Sequence, residues 1–131
     1  MKKIFSVLLL SVFNITVLAA QCPSGDHFIH LPDKSWTLDS ESSREGWKIL
    51  STSKSEGPLN NAYMQVDLWV TTSHAVCEYI TGYDSAVVVS NYNKIDTSKI
   101  PRPPFQEVKS PDWLDYFCRT WGSETQKCKW G

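Results

Sequence analysis

Four cysteines restrict the fold of this chain more than any other feature: Cys22, Cys77, Cys118 and Cys128. An even number of cysteines in an exported chain favours disulfides, and four cysteines allow three connectivities. Cys118 and Cys128 lie close enough in sequence to close a short C-terminal loop. Cys22 would then pair with Cys77, although a bond from Cys22 to one of the two C-terminal cysteines stays open. Zinc binding is disfavoured because the sequence has no CxxC spacing.

The N-terminus predicts that the chain is exported. Two lysines precede an uncharged stretch that ends in Ala19-Ala20, a pattern typical of a secretory signal peptide. A membrane anchor is the alternative, but the stretch contains several polar residues and no basic stop-transfer cluster follows it. We therefore expect residues 1–20 to be a cleaved signal peptide and residues 21–131 to form a single disulfide-stabilised domain.

Export places the chain in the periplasm or outside the cell, where disulfides persist. The formal net charge of the full chain is −1, and removal of the two N-terminal lysines makes it more negative. A negative chain is a poor ligand for nucleic acids and for anionic membranes. We therefore expect no nucleic-acid partner, no stable membrane insertion after cleavage, no metal and no cofactor.

The strongest secondary-structure pattern lies between residues 62 and 71. Apolar and more polar positions alternate there: one face carries Met64, Val66, Leu68 and Val70, and the other Tyr63, Gln65, Asp67 and Trp69. Alternation with period two predicts a half-buried strand. A β-rich segment at 75–81 and an apolar run at 86–89 follow, with a turn signal at 82–84 between them. The three segments predict an antiparallel meander.

The segments before and after this meander have weaker patterns. Short strands are predicted near residues 27–31, 36–38 and 46–50, and residues 51–61 are predicted to form an exposed loop. After the meander, the prolines between Asn91 and Pro104 predict an extended connector, because proline has no backbone N–H.

A helix is predicted to begin at Ser110, which can cap it, and to end at Gly122. Pro111 suits the first helical position, and Trp113, Phe117 and Trp121 repeat at a spacing of four residues. The predicted fold is therefore mainly β (α+β): a small antiparallel sheet or sandwich with one short C-terminal helix and two disulfides.

The chain has six tryptophans, which is a high number for its length. They either fill a core that is poor in Leu and Ile or form an exposed aromatic surface for a partner. The first hypothesis applies to Trp36, Trp47 and Trp69. The second hypothesis makes four aromatic residues candidates for binding: Trp69, Tyr63, Trp121 and Trp130.

Catalytic patterns are weak in this sequence. His27 and His30 resemble a metal-binding pair, but positions three apart in a strand point to opposite faces. The chain has no GxSxG motif, and paired cysteines leave no thiol nucleophile. Asp112 and Asp115 are explained by a solvated helix face. We therefore expect no catalytic residues and no enzyme activity.

Three motifs resemble an uncharacterised family of short exported proteins found in intracellular Gram-negative pathogens. They are Cys22-Pro23-Ser24 after the leader, Cys77-Glu78-Tyr79 in the centre, and the terminal cysteine pair that ends in Cys128-Lys129-Trp130. The present chain departs from the shorter members in its long segment from Asn91 to Ser110. The resemblance implies an accessory of the envelope or of a secretion apparatus, which binds another protein and has no catalytic activity.

The sequence thus favours a non-catalytic binding module of the bacterial envelope with a protein partner. The alternative is a periplasmic inhibitor of a host lytic enzyme such as lysozyme, because small disulfide-linked β-domains perform that function. Such inhibitors carry a Ser-Gly-containing loop that enters the target's cleft, and Thr81-Gly82-Tyr83 matches this signature poorly.

Overall fold

The computed structural model describes residues 21–81 and 84–130. The predicted signal peptide at 1–20 and the predicted turn residues Gly82 and Tyr83 lie outside the described residues. Within the described part, no helix is both long and apolar enough to cross a bilayer.

A six-stranded antiparallel sheet forms the centre of the structure. Its strand order is β3-β6-β5-β4-β8-β7. The strands are β3 (Trp47–Thr52), β4 (Gln65–Val70), β5 (Ala75–Thr81), β6 (Asp84–Asn91), β7 (Gln106–Lys109) and β8 (Leu114–Trp121). A separate two-stranded sheet joins β1 (Phe28–His30) to β2 (Trp36–Leu38), and one short helix, α1 (Ser40–Arg44), follows it. The predicted fold class, mainly β with antiparallel sheets, one short helix and two disulfides, is confirmed.

The predicted meander is present as β4, β5 and β6. Direct cross-strand partners in antiparallel strands share a face of the sheet, and Val66 lies opposite Tyr79 while Leu68 lies opposite Cys77. These four residues have no exposed surface. The apolar positions of the alternating pattern therefore form the buried side of the sheet, as the sequence predicts.

The predicted C-terminal helix is wrong, because the segment forms strand β8 between β4 and β7. A spacing of four is a multiple of the strand period of two, so Phe117 and Trp121 share a face in a strand as they would in a helix. The positions between them, Cys118 and Thr120, are buried, and the burial of β8 alternates accordingly. Within residues 21–81 and 84–130 the one α-helix is α1, which follows the cap residue Asp39, whose side chain accepts a hydrogen bond from the Ser42 amide.

The sequence suggests that Gly122 ends a helix, but in the structure this glycine allows close backbone packing. Its amide donates to the Met64 carbonyl, and its carbonyl accepts from the Gly25 amide. A Cβ atom at Gly25 or at Gly122 would collide with the backbone of Leu59, which lies against both glycines. Both glycines are therefore required for close backbone packing at this end of the sheet.

Both disulfides have the predicted connectivity. Cys22 is bonded to Cys77 in β5, and Cys118 in β8 is bonded to Cys128. The described chain has no free cysteine. The first bond fixes the segment before β1 on the buried side of the sheet, and the second fixes the segment after β8 there.

Aromatic residues fill the core between the sheet and the segments that cover it. Trp36 is 5% exposed and Trp47 is 1% exposed, which supports the core hypothesis for these two tryptophans. The ring of Phe28 in β1 meets the ring of Tyr79 edge-on, with 4.7 Å between the centroids. The Tyr79 hydroxyl donates to the Pro23 carbonyl, and its complete burial raises the pKa of this phenol well above 10.0.

Candidate functional site

The second side of the six-stranded sheet is the main candidate site, and we call it the open face. Its side chains are mostly half-buried or exposed, whereas the opposite side of the same strands is buried. The cross-strand register assigns to it the buried Ser90 and, among others, these ten residues: Gln65, Asp67, Trp69, Val76, Glu78, Ile80, Val88, Phe117, Arg119 and Trp121. The set combines apolar, aromatic and charged side chains on one continuous surface.

Three aromatic residues lie at the β4–β8 side of the open face. Trp69 and Phe117 are direct cross-strand partners, and their ring centroids are 4.5 Å apart. Trp121 lies opposite Gln65, and 38% of its surface is exposed. Trp69 and Phe117 bury part of each other, so Trp121 is the most accessible ring of this group.

Charged side chains occupy the centre of the open face. Arg119 donates two hydrogen bonds to Asp67: Nε to Oδ1 at 2.8 Å and NH2 to Oδ2 at 3.2 Å. The hydrogen bonds and the charge of Asp67 raise the pKa of Arg119. Gln65 donates a further hydrogen bond to Asp67 at 3.1 Å. The 8%-exposed carboxylate of Asp67 is therefore satisfied, whereas Arg119 keeps a solvent-accessible side and its guanidinium carbon lies 5.5 Å from the Phe117 ring centroid.

The structure places the four predicted binding residues in different environments. Trp69 and Trp121 both lie on the open face, joined by the β4–β8 pairing. Tyr63 is 91% exposed in the loop before β4. Trp130 is 9% exposed and belongs to the core, so it does not contribute to this surface.

Most residues of the open face were not among the predicted binding residues, and the most relevant of these are Glu78, Phe117 and Arg119. The helix predicted for the C-terminal segment concealed Phe117 and Arg119. The signal that identifies them is the alternation of Asp115, Phe117, Arg119 and Trp121 with Tyr116, Cys118 and Thr120. Glu78 follows directly from the strand prediction for residues 75–81, since it alternates with Cys77 and Tyr79.

A histidine-carboxylate cluster lies beside α1, away from the open face. Potential ligand atoms of His27, Asp39 and Glu41 are all within 4.8 Å of one another. His27 Nδ1 and Asp39 Oδ2 are 2.8 Å apart, and the second oxygen of Asp39 accepts from the Ser42 amide. Both oxygens of Asp39 are thus engaged in an ion pair and a helix cap, which explains the cluster without a metal ion. His30 has separate contacts, since it stacks on Trp36 and bonds to the Lys34 carbonyl, so the two histidines do not form a metal pair.

The histidine of this cluster has an altered protonation equilibrium. Burial alone would lower the pKa of His27, but its hydrogen bond to Asp39 and the charges of Asp39, Asp26 and Glu41 raise it above 6.5. Burial alone would raise the pKa of Asp39, but hydrogen bonds from Ser42 and His27 lower it below 3.8. The pair is therefore ionised over a wider pH range than either residue would be alone.

A groove of about 440 Å³ lies next to the two-stranded sheet. Its lining includes Phe28, His30, Trp36 and the carboxylate of Asp26. Asp26 is hydrogen-bonded to Ser24, and the Trp36 indole donates to the Ser55 hydroxyl at 3.0 Å. Because Asp26 and the Trp36 indole already have hydrogen-bond partners within the chain, the open face is the better candidate site.

Comparisons with protein-family models, with curated proteins and with solved structures find no match to this chain. The resemblance to short exported bacterial proteins therefore depends on the cysteine and aromatic motifs alone, and it stays a prediction. Function has to be inferred from the geometry of the chain itself.

Proposed function

We propose that the chain is an exported, non-catalytic module that binds a protein partner through the open face. The observation that carries this proposal is the difference between the two sides of the sheet. One side is sealed from solvent, while the other leaves aromatic and aliphatic side chains partly accessible around a charged centre. Partly accessible aromatic and aliphatic side chains together with an arginine are typical of a protein-interaction site, where aromatic residues and arginine are enriched.

The absence of catalytic activity is part of the proposal, and two observations support it. The charged groups at the centre of the open face form an ion pair, in which Arg119 holds Asp67. His27 and His30 lie elsewhere, against Asp39 and Trp36. His74 Nδ1 lies 3.1 Å from the hydroxyl oxygens of Thr71 and Ser73, but among the described residues no carboxylate hydrogen-bonds to this imidazole, so it lacks the orienting acid of a catalytic triad.

Export to the periplasm or the medium also belongs to the proposal. Two disulfides are consistent with an oxidising compartment, and the N-terminal pattern and the family resemblance favour an envelope or secretion-apparatus accessory. N-terminal mass spectrometry of protein from the native host tests export. We expect a mature chain that begins at Gln21, whereas a full-length species in the inner-membrane fraction would contradict it.

The binding proposal is tested best with Trp121→Ala. Trp121 is accessible and is not a core residue, whereas removal of Trp69 would also expose Phe117 and reduce stability. The matched control is Ile29→Ala, which removes an apolar side chain that is 49% exposed on the two-stranded sheet. Purified wild type and both variants are used to capture partners from the envelope fraction, and the affinity for each captured protein is then measured.

We expect Trp121→Ala to weaken binding by about 2 kcal/mol or more, the usual magnitude for an aromatic hot spot. Ile29→Ala should bind like the wild type. A captured lytic enzyme such as lysozyme would favour the inhibitor alternative over an envelope accessory. Equal binding by wild type and Trp121→Ala, with loss of binding in Ile29→Ala, would assign the interaction to another surface.

A further inference from the structure

One carboxylate of the open face lacks a counter-charge. Arg119, Asp67 and Glu78 are consecutive members of one cross-strand row, on β8, β4 and β5. Arg119 is engaged with Asp67. Within residues 21–81 and 84–130, no basic side chain forms an ion pair with Glu78. Two carboxylates directly opposite each other repel, so this arrangement lowers the stability of the sheet.

The surroundings of Glu78 increase this cost. Its cross-strand partner on β6 is Val88, and its neighbours on the same face of β5 are Val76 and Ile80. Glu78 itself is half-buried. A carboxylate among aliphatic side chains loses part of its hydration, which costs free energy unless another group compensates it.

Charge complementarity indicates which chemical group of a partner would pair with Glu78. The row has the charge order positive, negative, negative from β8 to β5, and one more positive charge beside Glu78 would complete an alternating pattern. Sugar hydroxyls would leave this negative charge uncompensated, and nucleic acids and anionic lipids would add to it. Arginine and lysine supply the charge together with an apolar stem that packs on aliphatic neighbours.

We propose that Glu78 anchors the partner protein by binding one of its arginine or lysine side chains. This inference rests on the proposed function, because it assigns the chemistry of the partner at the same open face. Apolar residues on both sides of the partner's basic residue pack against Val76 and Ile80, and Trp69 and Trp121 lie in the two adjacent rows. The partner's surface is therefore basic at its centre and apolar around it.

Two short peptides test the proposal without the native partner. The probe is acetyl-Leu-Arg-Leu-amide, and its control has citrulline in place of arginine, which keeps the shape and removes the charge. Binding at millimolar concentrations is followed by chemical-shift changes of the backbone amides in β5 and of the indole N–H groups in ¹⁵N-labelled protein. The matched pair of variants is Glu78→Gln and Glu56→Gln, since Glu56 has the same charge but lies in the loop after β3.

We expect saturable shifts at the Glu78, Trp69 and Trp121 signals with the arginine peptide, and binding of the citrulline peptide that is weaker by about tenfold. Glu78→Gln should lose the preference for arginine, and Glu56→Gln should keep it. The proposal is overturned if both peptides bind equally, if neither binds, or if Glu78→Gln binds like the wild type. Amide spectra of both variants verify that the fold is intact.

Capture of the native partner by the two variants Trp121→Ala and Glu78→Gln tests this inference and the proposed function separately. If Trp121→Ala loses the captured partner while Glu78→Gln keeps it, the open face binds through other chemistry and only the inference fails. If both variants keep the partner, the open face is not the binding surface and the proposed function fails as well. Loss of the partner in both variants supports both.

Discussion

At the scale of single residues, two neighbouring carboxylates of the same sheet row have opposite effects on stability. Asp67 accepts hydrogen bonds from Arg119 and Gln65 and is nearly buried. Glu78 lies beside it without an ion-pair partner among the described residues and among aliphatic side chains. The first carboxylate stabilises the sheet, whereas the second is retained at a cost that a binding role explains.

Neutral substitutions at these two positions should therefore shift stability in opposite directions. Asp67→Asn weakens a charge-assisted pair and should lower the free energy of unfolding by about 1 kcal/mol or more. Glu78→Gln removes repulsion and should raise the free energy of unfolding by as much as about 1 kcal/mol. Urea unfolding at neutral pH, followed by tryptophan fluorescence, measures both. A change of the same sign in the two variants would show that the charges in this row are not arranged as described.

His27 and Asp39 predict a defined pH dependence of stability. The pKa of His27 is raised, so its contribution is fully present below its unfolded value of 6.5 and is lost as the pH rises through the folded value. The pKa of Asp39 is lowered, so its contribution is present above 3.8 and is lost as the pH falls through the folded value. The His27–Asp39 ion pair therefore stabilises the fold most at pH values between the folded pKa of Asp39 and the folded pKa of His27.

The substitution His27→Gln tests this dependence. The difference in unfolding free energy between wild type and variant should be largest at mildly acidic pH and should decrease at alkaline pH. Urea unfolding over a series of pH values measures the difference. Asp39→Asn is the control, because without this carboxylate the pKa of His27 should decrease and the difference should become smaller. A difference that increases with pH would contradict the ion pair.

At the scale of elements, the two disulfides fix the segments that cover the buried side of the sheet. The Cys118–Cys128 bond spans a sequence separation of 10, and the Cys22–Cys77 bond spans 55. In the loop-entropy account, the shorter bond contributes about 3 kcal/mol and the longer one about 4 kcal/mol.

Paired substitutions of the bonded cysteines by serine test these contributions without leaving a free thiol. Loss of the Cys22–Cys77 bond should lower the unfolding free energy more than loss of the Cys118–Cys128 bond, because the longer loop gains more entropy in the unfolded chain. Denaturant unfolding gives the two values. Thiol labelling of unreduced, denatured wild type should detect no reactive cysteine, and labelling of two or more would disprove the pairing.

The sequence predicted some of these elements and failed for others, for physical reasons. The strand of Val66, Leu68 and Val70 alternates strictly, and only a half-buried strand explains that pattern. In β8 the spacing of Phe117 and Trp121 fits a helix and a strand equally. The prediction favours the helix because Pro111 suits the first position of a helix. For Trp69 the sequence left two places open, the core and the face opposite Val66 and Leu68, and the structure has it half-buried on that opposite face. Arg119 and Phe117 were missed as its neighbours because β-sheet pairing joins segments distant in sequence.

At the scale of the whole molecule, the chain covers one side of its sheet and leaves the other accessible. The covering segments come from the regions before β3, between β3 and β4, between β6 and β7, and after β8, and they contribute Trp36, Leu59, Phe105 and Trp130 to the core. The open face is covered less, and apart from Asp67 and Ser90 its described residues in β4, β5, β6 and β8 are half-buried or exposed. One side of the sheet therefore forms the core, and the other is the surface to which we assign the proposed binding.

Oxidative footprinting with mass spectrometry tests this claim most directly. The protein is labelled alone and again in complex with the partner captured from the envelope, and the oxidation rates of single side chains are compared. We predict that Trp121 and Trp69 lose reactivity in the complex, while Ile29, which is 49% exposed on the two-stranded sheet, keeps its rate. Unchanged oxidation of Trp121, together with protection of residues on the two-stranded sheet, would contradict the account.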